Sequence, residues 1–289
     1  MPRVSVLMSV YNNQDSVAAA IQSILGQAFT DFELLIADDA STDQSAAVIR
    51  TFTDPRIRPW FFTDNNGLEA RLNFLAQQAK GEILARMDAD DVSHPARLAE
   101  QMAFLHANPQ VDVLGTGFLY ADNGARVRMP QNHDAIAARL LFTPGFAHPT
   151  VAMSRAAFRQ WGPYPALRRK EDYGLWLNAL HAGAIFANLP QPLLTYRRPL
   201  FAAGFDNYLE NLTRCHAMAL APYLGRPPTD AELQIHLMLT RRTAFNHRAV
   251  TRWALTLLTR ARNPWHVKEI LFHLAGYYRA FWRSKGRAA

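Results

Sequence analysis

A chain of 289 residues, 49% hydrophobic and 19% charged, has a globular composition and excludes a disordered or collagen-like protein. Its single cysteine, Cys215, excludes an intrachain disulfide and fits a reducing compartment such as the cytoplasm. The net charge of +7 is unevenly spread: the last 49 residues carry +10, and the 240 before them carry −3.

The opening apolar run, residues 4–10, predicts a strand and is too short for a secretory leader. A helical pattern follows over 16–25, with Gly26 at its end. Residues 32–37 predict a second buried strand, which runs into Asp38-Asp39-Ala40-Ser41-Thr42-Asp43. Ser41 or Thr42 is placed to cap the helix predicted over 45–52. A capped turn accounts for those two residues but leaves the adjacent acids Asp38 and Asp39 unexplained. A carboxylate there can accept hydrogen bonds from the N–H groups of a base or the hydroxyls of a ribose.

A strand over 57–62 and a helix over 68–79 come next, then a strand over 82–87. That strand ends in Met87-Asp88-Ala89-Asp90-Asp91. Crowded carboxylates repel one another unless a proton or a cation separates them. These lie at the carboxyl end of a strand, where open α/β sheets bind ligands. Hard oxygen donors of this kind suit Mg²⁺ or Mn²⁺, and through the ion a phosphate. An acidic surface turn is the plain alternative. Pro95 ahead of a helix over 96–107, and a strand over 111–115, complete an alternating pattern. The pattern predicts an α/β fold: a mainly parallel sheet flanked by helices.

Residues 120–150 are irregular and a mixed segment continues to about 198. Beyond Phe205 only amphipathic helical patterns remain, so the division falls at 1–200 and 201–289. No uninterrupted apolar run of about twenty residues predicts a membrane span.

Taken together, these blocks resemble the inverting nucleotide-sugar glycosyltransferases of family 2, which implies the GT-A fold: a Rossmann-like central sheet, mixed and mainly parallel, flanked by helices and here followed by a C-terminal helical extension. The resemblance rests on Val4-Ser5-Val6-Leu7-Met8-Ser9-Val10-Tyr11-Asn12 and on Ile36-Ala37-Asp38-Asp39-Ala40-Ser41-Thr42-Asp43. Asn65-Asn66-Gly67 with Ala70-Arg71 and Asn73 follows, then Asp88-Ala89-Asp90-Asp91, then Lys170-Glu171-Asp172-Tyr173-Gly174-Leu175-Trp176-Leu177. Each block is modest alone, and their shared order is what makes the set specific.

The resemblance implies a role for each matching position. Asp39 contacts the base and Tyr11 borders it. Arg71 sits near the nucleotide or its phosphates. Asp88 faces the ribose or sugar, and Asp90 binds the divalent metal, Mn²⁺ or Mg²⁺. Asp172 is the general base for the acceptor hydroxyl, with Glu171 in support. The resemblance extends to about residue 198. On their own residues, Tyr11 is also readable as a strand-end aromatic and Arg71 as a solvated helix residue. Glu171 and Asp172 are also readable as acids favoured at a helix N-terminus. Asp91 is read as a cap or as a residue orienting Asp90, outside the ligand set. His148 is read as structural, and Arg168-Arg169-Lys170 as either an acceptor loop or a solvated one.

The implied activity is metal-dependent transfer of a sugar, from a UDP-sugar donor, to a glycan or lipid-linked acceptor in surface polysaccharide assembly. The Gln-x-x-Arg-Trp motif of the family's processive members does not follow Asp172, which points to one sugar per encounter. A nucleotidyltransferase is the competing enzyme class, but it is expected to show a glycine-rich loop where Ser9-Val10-Tyr11-Asn12-Asn13 stands. A non-catalytic nucleotide-sugar or glycan-binding scaffold is the other alternative. Asp39, Asp88, Asp90 and Asp172 together fit it less well.

The basic tail by itself points to an anionic partner: a membrane surface, nucleic acid or an acidic protein. Residues 265–282 predict a helix with Val267, Ile270, Leu271, Leu274, Tyr278, Phe281 and Trp282 along one side. Such a helix either packs on the protein or lies in a membrane interface. With the resemblance, the expected location is the cytoplasm, peripheral to the inner face of the membrane, with no nucleic-acid partner.

Overall fold

The computed structural model describes residues 2–198, 207–242 and 246–285. The boundary expected near residue 200, and Arg287 of the tail, lie outside them.

Nine strands form one mixed sheet, with order β3-β2-β1-β4-β8-β6-β9-β5 and β7 paired to β6. The parallel half is β1 (Val4–Val10), β2 (Phe32–Asp38), β3 (Ile57–Phe61) and β4 (Ile83–Asp88). Helices α1 (Val17–Leu25), α2 (Ser45–Arg50) and α3 (Leu68–Gln78) connect these strands. Val4, Val6, Met8 and Val10 of β1, and Phe32, Leu34 and Ile36 of β2, share one core with Val17, Ile21 and Ile24 of α1. Leu7 and Leu35, between them, are also fully buried. Burial of alternate as well as successive residues is what a parallel sheet covered on both faces demands.

The rest of the sheet is mixed. Short β5 (Val92–Ser93) leads to α4 (Arg97–Ala107), then β6 (Val113–Tyr120), β7 (Arg126–Val127) and α5 (His133–Arg139). A single 3₁₀ turn at His148–Thr150 precedes β8 (Ala152–Ser154), α6 (Arg155–Trp161), α7 (Glu171–His181) and β9 (Phe186–Tyr196). The expected strand at 111–115 proves longer, because Gly115 does not end it. Gly115 pairs with Asn188 of β9, and a Cβ there would collide with the Asn188 side chain. The glycine permits close approach of the two strands.

The helices after residue 207 are α8 (Tyr208–Leu224), α9 (Asp230–Arg241), α10 (His247–Leu258) and α11 (Pro264–Lys285). Two compact units result: Met1–Asn132 with Phe146–Gly204, and His133–Gly145 with Phe205–Ala289. Beside the division expected from the helical patterns, at 1–200 and 201–289, α5 and its following turn belong to the helical unit.

Inside that unit α11 buries His266, Ile270, His273 and Tyr277 and exposes Val267, Leu271, Phe272 and Trp282. The apolar side read from the sequence is therefore split. The packed stripe keeps the helical spacing of four, three and four, but half of it is histidine, which an apolar pattern does not register. No helix among the described residues is long and apolar enough to cross a membrane.

Candidate active site

Strand β1 lies between β2 and β4, with Val10 opposite Asp38 and Ser9 opposite Asp88. The two acidic turns therefore leave the sheet on either side of the turn that carries Tyr11. Side chains lace the first two turns together. The Asn12 N–H donates to Ser41 Oγ at 3.0 Å, and Thr42 N–H donates to Asn12 Oδ1 at 2.8 Å. Asp43 accepts the N–H groups of Gln14 at 3.0 Å and Ser45 at 2.9 Å. Ser41 and Thr42 thus do not cap α2; Gln44 stands at the cap position without a side-chain bond. Pro95 likewise stands two residues ahead of α4, whose cap position is Ala96.

Asp39 is 2% exposed, and its charge is held by three groups. Its Oδ1 accepts the Asn66 N–H at 3.0 Å and pairs with Arg71 Nε; its Oδ2 accepts the Gly67 N–H at 2.9 Å. Gly67, with φ 89°, occupies backbone that a side chain would strain. Arg71 is buried, lies 3.6 Å over the Phe62 ring and also donates to the Asp64 carbonyl. An ionised carboxylate offers about four acceptor positions, so three donors leave room for one more on Asp39.

Across β1, carboxylate oxygens of Asp88, Asp90 and Asp91 lie within 4.8 Å of one another. Asp88 pairs with the buried Arg86 guanidinium. Asp91, 1% exposed, accepts the Arg197 N–H at 2.7 Å through Oδ1, and its Oδ2 has no hydrogen-bond partner among the described residues. Burial and then the Asp88 charge raise the pKa of Asp90, and push that of Asp91 up to about 8. An orphaned buried oxygen and three crowded carboxylates make a hard-oxygen donor set that fits Mn²⁺ or Mg²⁺. Asp91 joins that set, in contrast to the capping or orienting role read from the sequence.

Helix α7 opens with the second acidic pair. Glu171 is buried, and burial followed by the Asp172 charge pushes its pKa up to about 8. Asp172 is half-buried, accepts the Tyr173 N–H at 2.7 Å, and is raised by burial against the opposing Lys170 charge. The segment ahead of α7 is pinned to α3: Asn73 donates to the Tyr164 carbonyl at 2.9 Å and accepts its N–H at 2.8 Å. The sequence pattern included Asn73 without giving it a role, and this two-way clamp supplies one. His148 is buried against Tyr164 OH at 3.1 Å, outside the acidic cluster.

A cavity of about 350 Å³ collects these groups. Tyr11, Asp39, Asp88 and Asp90 line it, with Asn65, Gly67, Glu69, Arg168, Arg169 and Glu171. Of the six residues singled out by sequence, Arg71 and Asp172 are not in the lining. Arg71 stands behind Asp39, and Glu171 rather than Asp172 faces the space.

The fold is a mixed, mainly parallel sheet with an acidic cavity at its strand ends. Glycosyl transferase family 2 matches residues 5–176, and the chain belongs to that family. It is 34% identical over 236 residues to "Putative glycosyltransferase EpsE" of Bacillus subtilis, covering 76% of this chain and 84% of the other. It is also 34% identical over 201 residues to "O-antigen biosynthesis glycosyltransferase WbnJ" of Escherichia coli, covering 67% and 79%. Among solved structures, S. aureus TarS 1-349 superposes with TM-score 0.65 at 17% identity over 98% of this chain and 92% of TarS. That likeness shows the GT-A fold. The protein is a glycosyltransferase.

Proposed function

We propose that the enzyme transfers a sugar from a UDP-sugar to a hydroxyl of a lipid-linked glycan during surface polysaccharide assembly, with inversion at the anomeric carbon. One observation carries the reading. A single cavity gathers the base-side acid Asp39, the acids Asp88 and Asp90, and Glu171 at the start of α7, next in sequence to Asp172.

The one acceptor position left on Asp39 suits the single ring N–H of uracil. Tyr11, 47% exposed on the cavity wall, offers its ring to the base. Asp90, with Asp88 and Asp91, would hold Mn²⁺ or Mg²⁺, and such an ion supplies neutralisation of the charge that develops on the leaving diphosphate. Asp172 takes the proton of the acceptor hydroxyl as its oxygen attacks the anomeric carbon from the side opposite the diphosphate. The bond to the diphosphate oxygen breaks in the same displacement, which inverts the centre. The raised pKa of Asp172 makes it a stronger base than an exposed carboxylate.

The names of similar proteins support the donor and acceptor classes. "UDP-Glc:alpha-D-GlcNAc-diphosphoundecaprenol beta-1,3-glucosyltransferase WfgD" of Escherichia coli is 28% identical over 184 residues. TarS has been solved with UDP and with UDP-GlcNAc, and a Pyrobaculum calidifontis mannosyltransferase with GDP-Man and Mn²⁺. For location, the exposed Val267, Leu271, Phe272 and Trp282 of α11, interspersed with Lys268, Arg279 and Arg283, favour peripheral binding to the inner face of the cytoplasmic membrane.

The test is turnover of a panel of nucleotide sugars with Mn²⁺, with and without chelator, followed by proton NMR of the product. Metal-dependent consumption of a UDP-sugar and an inverted anomeric signal are expected. Preference for a purine nucleotide, or retained configuration, would refute the corresponding part.

A further inference from the structure

Strand β4 carries a charge where its burial calls for an apolar residue. Ala85 and Met87 join the core shared with β1 and β2, and Arg86 and Asp88 lie on the other face of the strand. Arg86 is 2% exposed and pairs with Asp88. A second guanidinium meets the same residue's backbone. Arg97, the first residue of α4, is fully buried and donates through Nη1 to the Arg86 carbonyl at 3.1 Å and the Pro149 carbonyl at 2.6 Å. Arg86 Nε, Arg97 Nε and Arg97 Nη2 have no hydrogen-bond partner among the described residues.

Two like charges buried near one another with unfilled donors are costly to the fold. The neighbouring carboxylates offset that cost. The Arg86 charge acts on Asp88, Asp90 and Asp91, and the Arg97 charge acts on Asp91. Burial lowers the pKa of Arg97 only to about 10, which leaves it charged at neutral pH. With its three acids ionised, the cluster and the two arginines together carry a net charge of −1. Three carboxylates alone would hold a divalent cation tightly, with or without a nucleotide. A cluster at −1 holds the bare ion weakly and becomes positive when the ion enters. A diphosphate then neutralises that excess.

We infer that Arg86, backed by Arg97, is a positioning residue for the cation: it sets the charge of the acidic cluster so that the ion is retained with the donor's diphosphate rather than alone. The inference rests on the reading above that Asp88, Asp90 and Asp91 hold Mn²⁺ or Mg²⁺. It gives a role to two buried arginines that stand outside the cavity lining. It also fixes a sign. Removing the Arg86 charge strengthens binding of the bare cation, whereas a purely structural role predicts weaker binding, because lost packing loosens the acids.

The experiment titrates Mn²⁺ into the full-length protein by calorimetry at pH 8, with and without UDP. Wild type is compared with Arg86→Met, which keeps an unbranched stem and removes the charge, and with Arg86→Lys, which keeps the charge. Wild type should bind Mn²⁺ at least ~10-fold more tightly with UDP than without it, since the diphosphate supplies the missing negative charge. Arg86→Met should bind Mn²⁺ alone about 10- to 100-fold more tightly than wild type, the order expected when one unit charge is removed beside a divalent ion in a partly buried site. Its further gain from UDP should shrink. Arg86→Lys should stay close to wild type.

If Arg86→Met does not fold, as circular dichroism would show, Arg97→Met puts the same question with the same sign. Failure of wild type to bind Mn²⁺ even with UDP overturns the metal reading, and the inference with it. Mn²⁺ binding that depends on UDP in wild type, with no gain for bare Mn²⁺ in the charge-free variant, overturns the role of the arginines alone. So does a wild type that binds bare Mn²⁺ as tightly as it does with UDP, or an Arg86→Lys variant that behaves like Arg86→Met.

Discussion

The catalytic unit and the helical unit both bury titratable groups, but they treat them in opposite ways. In the catalytic unit acids converge on one another. Burial and like charge push Asp91 and Glu171 up to about 8, and Asp91 Oδ2 is left without a partner among the described residues. In the helical unit histidines pack among rings and carbonyls. His236 donates to the Leu141 carbonyl at 2.9 Å and accepts from Trp253 Nε1 at 3.2 Å. Phe142 stacks on His236 at 5.0 Å and on His273 at 4.2 Å. Burial, with neighbouring Arg242 and Arg139, lowers the pKa of His273 to about 4. His236 is held well below its ordinary range by burial and by His216. Crowded buried acids mark the site that binds something, whereas the helical unit holds these buried histidines neutral among aromatic rings.

The largest expected effect that sharpens this contrast is at α7. Asp172→Asn should lower the transfer rate by about 10²–10⁴-fold, the span of general-base contributions. UDP affinity should stay near wild type in calorimetry. Near-normal turnover would make the acidic start of α7 a helix-dipole feature only.

Arg71→Leu probes the buried Arg71–Asp39 charge pair of the catalytic unit. It leaves Asp39 buried without its cation, at a cost of about 3–5 kcal/mol in unfolding free energy. Chemical denaturation reads the loss. A variant as stable as wild type would show that the Asn66 and Gly67 N–H groups suffice for Asp39.

Asp90→Asn should weaken Mn²⁺-dependent UDP binding by at least the ~10–100-fold that even an outer partner of a metal ligand contributes. The pH dependence follows from the raised pKa values of Asp91 and Glu171. Their folded-state values lie above the unfolded ones, so their favourable contribution is present at low pH and is lost as pH rises through about 8. A cation relieves the repulsion, so Mn²⁺ should raise the melting temperature more at pH 8 than at pH 6. An equal rise at both would count against the acidic cluster as the metal site.

The helical unit should show the opposite slope. The folded-state pKa of His273 is depressed, so its contribution is present above the unfolded value of about 6.5 and is lost as pH falls toward about 4. His273→Phe keeps an aromatic ring beside Phe142 and removes the proton site. It should melt higher than wild type at pH 5 and change little at pH 8. Identical pH profiles would show that His273 does not limit acid stability.

The smallest effect expected is at the exposed side of α11. The full-length protein should float with anionic vesicles at low salt and be released as salt screens the surface attraction. Indifference to anionic vesicles would leave α11 with a packing role alone.

The sequence by itself determined the alternation of strands and helices in the first hundred residues, and that two strands end in acids. These are local facts: apolar runs of strand length, helical spacing and turn residues are written within a few positions of one another. Tertiary structure decided which groups those acids meet. Asp39 finds Arg71 and two backbone N–H groups 27 to 32 residues away, and backbone donors carry no side-chain signature. Asp91 turns toward Asp88 and Asp90, and Glu171 faces the cavity ahead of Asp172, because side-chain direction depends on packing around each turn. Residues 133–145 join helices that follow them by more than sixty positions, a long-range choice that composition does not record. The packed stripe of α11 is half histidine, and Phe142 packed on His273 and Tyr223 packed on His266 make those rings fit for burial.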